Sequence, residues 1–512
     1  MATLTLSTSF NDDWPPDTLE GGTILTRTAT AMTYTSDMGY TITLRGTGFS
    51  YDDDGLPSGG TVGRLTILKA GVTFADFTGV STSFTFAGMK LFGYDRDNGN
   101  HEGPDPYGFV QNMLRGNDLI IGSAQDDDLR SGTGNDTING GDGDDYVGAE
   151  AGDDVMNGGA ERNTLSFDEA NYRWDAFRGV NLDVVTGIAI DNWGDTDRFS
   201  NFGRFKDSLF SDTLRGSLAE ESFVVSRGND IIDGRGGIDT LDYSQVDRWG
   251  AHRGVNVNLA TGVAIDSWGN TDTISNMEEV RGSVFKDTLT GSARDEYFIG
   301  GRGVDVINGG GGIDRLNFWD VGDNDIGHGI VINTSLAANV QDDGFGNTET
   351  ALGIERFRGS RFNDRFTGGG GEDDFGGDDG NDTLIGGAGT DHLSGDDGDD
   401  RLTGNLGEDD FNFGNGLAEA GVDTITDMQV GIDEIWVTSD WGGLTTEFLI
   451  ANQFRSGAGV TTANTATQRL IYNTTTGDLY YDADGVGGAA AVRFAVLSNQ
   501  AAINFGDFHV FL

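Results

Sequence analysis

From residue 118 to residue 156 an apolar side chain returns at every ninth position, and an acid stands two places before each one. The apolar residues are Ile120, Leu129, Ile138, Val147 and Met156; the acids are Asp118, Asp127, Asp136, Asp145 and Asp154. The segments read GSAQDDDLR, SGTGNDTIN, GGDGDDYVG and AEAGDDVMN, with the acid sixth and the apolar residue eighth. The register recurs at Asp212, Glu221, Asp230 and Asp239, then at Asp287, Glu296, Asp305 and Asp314. It returns a last time at Asp364, Asp373, Asp382, Asp391, Asp400 and Asp409. One apolar residue between polar neighbours reads as a three-residue strand whose centre turns inward. The glycines ahead of it permit the positive φ of a tight turn. Alternating turns and strands at a fixed period predict a stacked solenoid.

The segments between these blocks are related to one another. RGVNLDVVTGIAIDNWGDTD begins at 178 and RGVNVNLATGVAIDSWGNTD at 253; HGIVINTSLAANVQDDGFGNTE at 328 is a degenerate third copy. Alternation around Thr186-Gly187 and Thr261-Gly262 predicts a two-stranded hairpin in each. Trp193, Trp268 and Phe345 occupy equivalent places, as covers for the hairpin or as an aromatic platform. Asp191, Asp266 and Asp342 precede them and are further candidates for metal.

The ends lack the nonapeptide. Residues 1–112 hold alternating runs such as TLTLSTSF and YTITLRGTGFSY, which predict a β-sandwich-like module. TLTLSTSF is a candidate edge strand for pairing with a neighbouring subunit. Asp52, Asp53, Asp54 and the run at 95–105 match no EF-hand loop. Beyond about 416, strand-like runs are expected to cap the last block.

Charge changes the picture. The chain has 83 acids against 32 Lys and Arg, a net charge of −51, with 83 glycines and no cysteine. Such a surface repels phosphate backbones, so no nucleic-acid partner is expected. Without cysteine there is no disulfide framework or thiolate site. No apolar run is long enough to span a bilayer as a helix. Yet 36% of residues are apolar and 10% aromatic, enough for a core once the carboxylates are neutralised. Glycine carbonyls and a sixth-place carboxylate around one loop form an oxygen-only donor set, which suits calcium better than zinc or magnesium.

The pattern GGxGxDxUx, with U apolar, resembles the RTX (hemolysin-type) calcium-binding repeat over about 115–415. The resemblance implies a parallel β-roll with several Ca2+ ions held by the nineteen sixth-place acids named above. Carbonyls of glycines such as Gly132, Gly134, Gly141, Gly143, Gly387, Gly389 and Gly395 would assist. Nineteen acids shared between turns correspond to roughly ten to fifteen ions, which would offset on the order of half of the charge. GSLAEESFV and GSARDEYFI depart from the pattern: they lack its glycines and carry Glu221 and Glu296. Asn163 stands at a sixth place as well. These turns are expected to bind weakly or to cap a roll.

The fold class expected is therefore all-β: tandem parallel β-roll blocks with hairpin insertions, plus the N-terminal sandwich-like module. The boundaries expected are 1–112, then blocks at 113–167, 168–243, 244–318 and 319–415, then a capping and secretion region at 416–512. MATLTLSTSFNDDW has neither the basic start nor the apolar stretch of a Sec signal. The resemblance implies export by the type I secretion machinery of a Gram-negative bacterium, to the medium or the cell surface. No HExxH, GxSxG or P-loop motif occurs, so no enzyme is expected. A structural or interaction role follows, as surface layer, matrix filament or adhesin, with self or surface polysaccharide as partner. A carbohydrate-binding or carbohydrate-processing role for residues 1–112 is the alternative.

Overall fold

The computed structural model describes strand backbones within residues 3–84 and most of residues 116–511; 169–175, 246–249, 320–326, 338, 415 and 418–420 are not among the described residues. Asp52, Asp53, Asp54 and 95–105 also lie outside them. Among the described residues every regular element is a strand or a single 3-10 turn. Among the described residues no helix is long and apolar enough to cross a membrane. The chain divides into two compact units, Met1–Asp242 with Asn270–Met277, and Tyr243–Gly269 with Glu278–Leu512.

In the first unit each nonapeptide ends in a short strand, and consecutive strands go to opposite sheets. Thr137–Gly141 pairs in parallel with Leu119–Ile121 and with Val155–Gly159, so Ile120, Ile138 and Met156 are neighbours. Asp128–Arg130, Tyr146–Gly148 and Thr164–Ser166 build the other sheet, with Leu129, Val147 and Leu165 in line. Partners are thus 18 residues apart, and two nonapeptides make one full coil. The eighth-place residues are all but fully buried, since each strand is too short to bury more than its centre.

Where the nonapeptide breaks off, the sheet does not. Thr196–Ser200 pairs in parallel with Val155–Gly159 and antiparallel with Ile188–Ile190. Ile188–Ile190 pairs antiparallel with Asn181–Asp183, which is parallel to Thr213–Arg215. The predicted hairpin is there, and a third strand completes it as a three-stranded insertion in one sheet. The opposite sheet bridges the same gap with Arg204–Lys206 alone.

The described N-terminal strands lie in one antiparallel sheet: Thr23–Thr28, Ala31–Thr35, Tyr40–Tyr51, Pro57–Lys69 and Val72–Phe84 follow in order. Thr3–Leu6 pairs antiparallel with Val72–Phe84 and in parallel with Leu119–Ile121. This corrects the expectation of a free edge. Both sides of Thr3–Leu6 carry ladder hydrogen bonds within the chain, so it has no edge to offer a neighbouring subunit.

The second unit repeats the design. Asn256–Asn258 and Val263–Ile265 form a hairpin, with Asn256–Asn258 parallel to Thr288–Thr290. The degenerate third copy keeps the topology: Val331–Asn333 and Val340–Asp342 pair antiparallel, and Val331–Asn333 lies parallel to Arg365–Thr367. A ten-stranded sheet runs from that hairpin through Thr383–Ala388 and Arg401–Leu406 into Asp423–Ile425 and Val492–Leu497. The other sheet runs through Asp410–Phe413 and Glu434–Thr438 to Phe508–Phe511. Residues beyond 416 therefore prolong both sheets and cover their last strands.

Candidate metal centres

Each sixth-place acid lies at the mouth of a turn, just before its strand, and is buried. Its backbone N–H donates to the carboxylate of the acid one coil on. Asp118 donates to Asp136 Oδ1 at 2.6 Å, Asp127 to Asp145 at 2.9 Å and Asp136 to Asp154 at 2.7 Å. In the other blocks Asp212 donates to Asp230, Glu221 to Asp239, Asp287 to Asp305 and Glu296 to Asp314, at 2.7–2.9 Å. In the longest block Asp364, Asp373, Asp382 and Asp391 donate in turn to Asp382, Asp391, Asp400 and Asp409. The expected acids therefore form hydrogen-bonded rows along the turns.

The rows contain two kinds of turn. In the first, one oxygen is held by the ladder and the other meets no donor: Oδ2 of Asp145, Asp154, Asp305, Asp314, Asp382, Asp391, Asp400 and Asp409 is buried without a hydrogen bond. A buried carboxylate oxygen without a partner is costly. Burial pushes Asp154 and Asp382 up to about 9, and Asp145 and Asp391 to about 7, from 3.8. What these oxygens lack is a donor, a proton or a cation.

In the second kind the carboxylate is capped from within. Ser283 N–H donates to Asp287 Oδ2 at 2.7 Å and its hydroxyl to Oδ1 at 2.8 Å. Ser208 caps Asp212 and Ser360 caps Asp364 in the same way. Ser217 and Ser292 do so for Glu221 and Glu296, and the Ser123 amide does so for Asp127. Gly369 caps Asp373 with its amide alone. Burial also raises the capped acids, Asp364 to about 6 and Asp212 to about 7.

The backbone at the second place separates the two kinds except at Asp154, whose turn is open although Glu150 is not at positive φ. Gly141, Gly301, Gly310 and Gly387 have positive φ there, as do Asp378, Asp396 and Asn405 at 65–73°. That conformation turns the amide away from the acid. The serines and Gly369 keep negative φ and aim the amide at it. At Asp212, Glu221, Asp287, Glu296 and Asp364 the departure from the motif thus has a physical reading: the serine at the second place supplies the donors that a metal would otherwise replace.

Carbonyls complete the open turns. A Cβ on Gly140 would strike both the Gly158 carbonyl oxygen and Asp145 Oδ2. One on Gly377 would strike Asp382 Oδ2 and the Gly395 carbonyl. First-place glycines bring a carbonyl and a carboxylate oxygen together in open and capped turns alike, as Gly282 and Gly359 also show; in the open turns that carboxylate oxygen is unmet, and there the residues fit a hard cation with oxygen ligands. Of the expected glycines, Gly395 opens such a turn. Gly132, Gly134, Gly141, Gly143, Gly387 and Gly389 all have positive φ. The carbonyls of Gly134, Gly141 and Gly389 lie against Gly152, Gly159 and Gly407, one coil on. The first-place carbonyls of Gly158, Gly300 and Gly386 were not singled out in the sequence, although a glycine opening the turn marks them.

The insertions prolong the rows with acids that the nine-residue spacing misses. Asp154 donates to Asp197 Oδ1 across 43 positions, Asp230 to Asp272 across 42 and Asp314 to Glu355 across 41. Asp400 and Asp409 donate to Asp423 and Asp433. The signal in the sequence was the acid two places before an apolar residue, as in Asp197-Arg198-Phe199 and Asp423-Thr424-Ile425. Among the described residues one group of three carboxylates has ligand atoms all within 4.8 Å of one another: buried Asp207, Asp212 and Asp230. Asp207 stands where other turns have their first glycine. Burial and the charges of Asp230 and Asp212 raise it well above the usual carboxylate range. This cluster has the composition of a metal site.

Trp193, Trp268 and Phe345 are half-buried. The loop aspartate of the third copy is Asp343 rather than Asp342. Asp343 is buried and its N–H donates to Asn347 O, as the Asp191 N–H donates to Asp195 O. Asp342 lies further out and meets His328 at 2.7 Å.

Comparison with known families matches the RTX calcium-binding nonapeptide repeat at residues 114–138, 130–165, 210–241, 281–316, 350–384 and 385–416. Comparison with curated proteins finds no match.

Proposed function

We propose that this chain, which carries RTX calcium-binding nonapeptide repeats across residues 114–416, is a secreted protein that folds when it binds calcium outside the cell. It then serves a structural or interaction role, as surface layer, matrix filament or adhesin. The observation that carries the reading is the row of buried, unmet Oδ2 atoms from Asp145 to Asp409. Without a cation those oxygens, and a net charge of −51, oppose compaction; with calcium they become ligands. Because calcium binds the folded chain selectively, it stabilises it by mass action.

A chain that stays open at low calcium is suited to export through a narrow channel, and the absence of cysteine suits it too. Type I secretion is the route proposed. Repeats and their insertions occupy most of the described chain, so the function proposed is non-enzymatic. Negative-stain electron microscopy of refolded full-length protein tests the role. Sheets or filaments formed in calcium and dispersed by chelator support self-assembly. Calcium-folded particles that stay single in both conditions reject it.

A further inference from the structure

We infer that two of the insertions each hold a calcium ion of their own, outside the nonapeptide motif: one between Asp191 and Asp197 beside Asp154, the other between Glu349 and Asp305, next to the loop that Asp343 opens. The inference rests on the reading that the repeats bind calcium and extends it to segments that the repeat does not cover.

Asp191 opens the loop after the hairpin strand Ile188–Ile190. Its Oδ1 accepts the N–H groups of Trp193, Gly194 and Asp195, at 2.7–3.0 Å. Three donors on one oxygen fix the carboxylate and direct Oδ2 away from the loop. Asp197 stands six residues on, with Oδ1 held by the Asp154 N–H at 3.0 Å. Asp154 Oδ1 is held by Asp136. All three side chains are 0% exposed, and Oδ2 of each has no hydrogen-bond partner. Among the described residues no Lys or Arg forms an ion pair with any of them. Each charge works against the others: Asp197 rises to about 8, mainly through burial, with Asp191 the first of the charges that add to it.

The third copy builds a related arrangement from a different sequence, with both Asp343 oxygens held by the loop, Oδ2 by the Asn347 side-chain amide at 2.8 Å, and the unmet oxygens on Glu349 and Asp305. The strand Thr350–Leu352 pairs with Val306–Asn308 as Thr196–Ser200 pairs with Val155–Gly159. Glu349 takes the place of Asp197. Both its carboxylate oxygens are buried and unmet, as is Asp305 Oδ2. Asp343 Oδ1 accepts the N–H groups of Phe345 and Asn347, at 2.9 and 2.8 Å. In each insertion, buried carboxylate oxygens without a donor form an oxygen-only set with surplus negative charge. Calcium takes six to eight oxygens in flexible geometry, so two carboxylates with loop carbonyls and water suffice. Zinc would seek nitrogen or sulfur, and none is here.

The test is an ion count. Wild type and the variants Asp191→Asn/Asp197→Asn and Asp343→Asn/Glu349→Gln are refolded as full chains and dialysed to equilibrium against radioactive calcium. Each double variant is expected to bind one ion fewer while keeping the wild-type far-UV circular dichroism spectrum. An unchanged count in folded variants overturns the inference. If the doubles do not fold, terbium replaces calcium in wild type and in Trp193→Phe. Sensitised terbium emission is expected to fall in Trp193→Phe, and unchanged emission overturns the inference. Asp382→Asn/Asp391→Asn serves as reference. If it loses ions and the insertion variants do not, only this inference fails; if wild type takes up no calcium, the parent reading fails with it.

Discussion

The backbone N–H of Asp382 donates to Asp400 Oδ1 at 2.7 Å, while Asp400 Oδ2 is buried and meets no donor. One carboxylate thus does two jobs. Its first oxygen ties a turn to the turn one coil earlier. Its second is left for a cation, beside the first-place glycine of its own turn: a Cβ on Gly395 would collide with it. Folding and ion binding are coupled through a single side chain.

Replacing Asp382, Asp391 and Asp400 together with Ala removes three such oxygens and three ladder acceptors. The calcium midpoint for folding, followed by far-UV circular dichroism, is expected to rise at least tenfold, equivalent to about 1.4 kcal/mol. An unmoved midpoint would show that these acids are not ligands.

The capped turns behave differently. Asp287 already has Ser283 on both oxygens. Asp287→Asn is expected to leave the number of bound calcium ions unchanged and to cost about 1–2 kcal/mol through weakened hydrogen bonds. Asp391→Asn, in an open turn, is expected to lose bound calcium. Equilibrium dialysis on both variants separates the two kinds of turn; equal losses would abolish the distinction.

Much of this was legible in the sequence, and the reason is local. The spacing of nine set the two-sheet coil because a three-residue strand can bury one centre only, and that centre was marked at Ile120, Leu129 and each later place. Calcium chemistry was legible because every nonapeptide carried its own donors. What stayed hidden was not local. Asp197 joins a row only after the chain has run 43 residues out and back, and Glu349 comes beside Asp305 through the pairing of Val306 with Thr350, so no period marks them. The capping role of Ser208, Ser283 and Ser360 depends on the sign of φ at one position, which the residue type alone does not state. The pairing of Thr3–Leu6 with Leu119–Ile121 spans more than a hundred residues, so an alternating run there read as a free edge.

The pH dependence has a definite sign. Burial raises Asp154 and Asp382 to about 9 and Asp145 and Asp391 to about 7, all from 3.8. A raised folded value means that the metal-free fold is favoured when these groups are protonated. That contribution is full below 3.8 and is lost as pH climbs through 7 to 9. In chelator, circular dichroism is therefore expected to show the least structure above pH 9 and a gain as pH falls toward 4. In calcium, protons compete for the same oxygens, so the midpoint rises on acidification. Loss of structure in chelator between pH 9 and pH 5 would contradict the assignment.

Glycine at the fourth place is a packing requirement in one turn and dispensable in another. Gly398 has φ of 142°, and a Cβ there would land on the Gly380 carbonyl. Gly398→Ala is expected to cost about 1–3 kcal/mol, read as a lower melting temperature in saturating calcium. Gly371 stands at the same place in a capped turn, with ordinary φ and nothing within 4 Å of its Cβ position. Gly371→Ala should melt with the wild type. Equal melting of both variants would mean that the coils do not stack as described.

The central claim is that calcium and the fold are one equilibrium. Far-UV circular dichroism of the full chain, titrated with calcium from chelator at pH 7.5, tests it most directly. The prediction is a cooperative gain of β signal that chelator reverses and that magnesium at equal ionic strength does not reproduce. A β spectrum already complete in chelator, and unchanged by calcium, would contradict it.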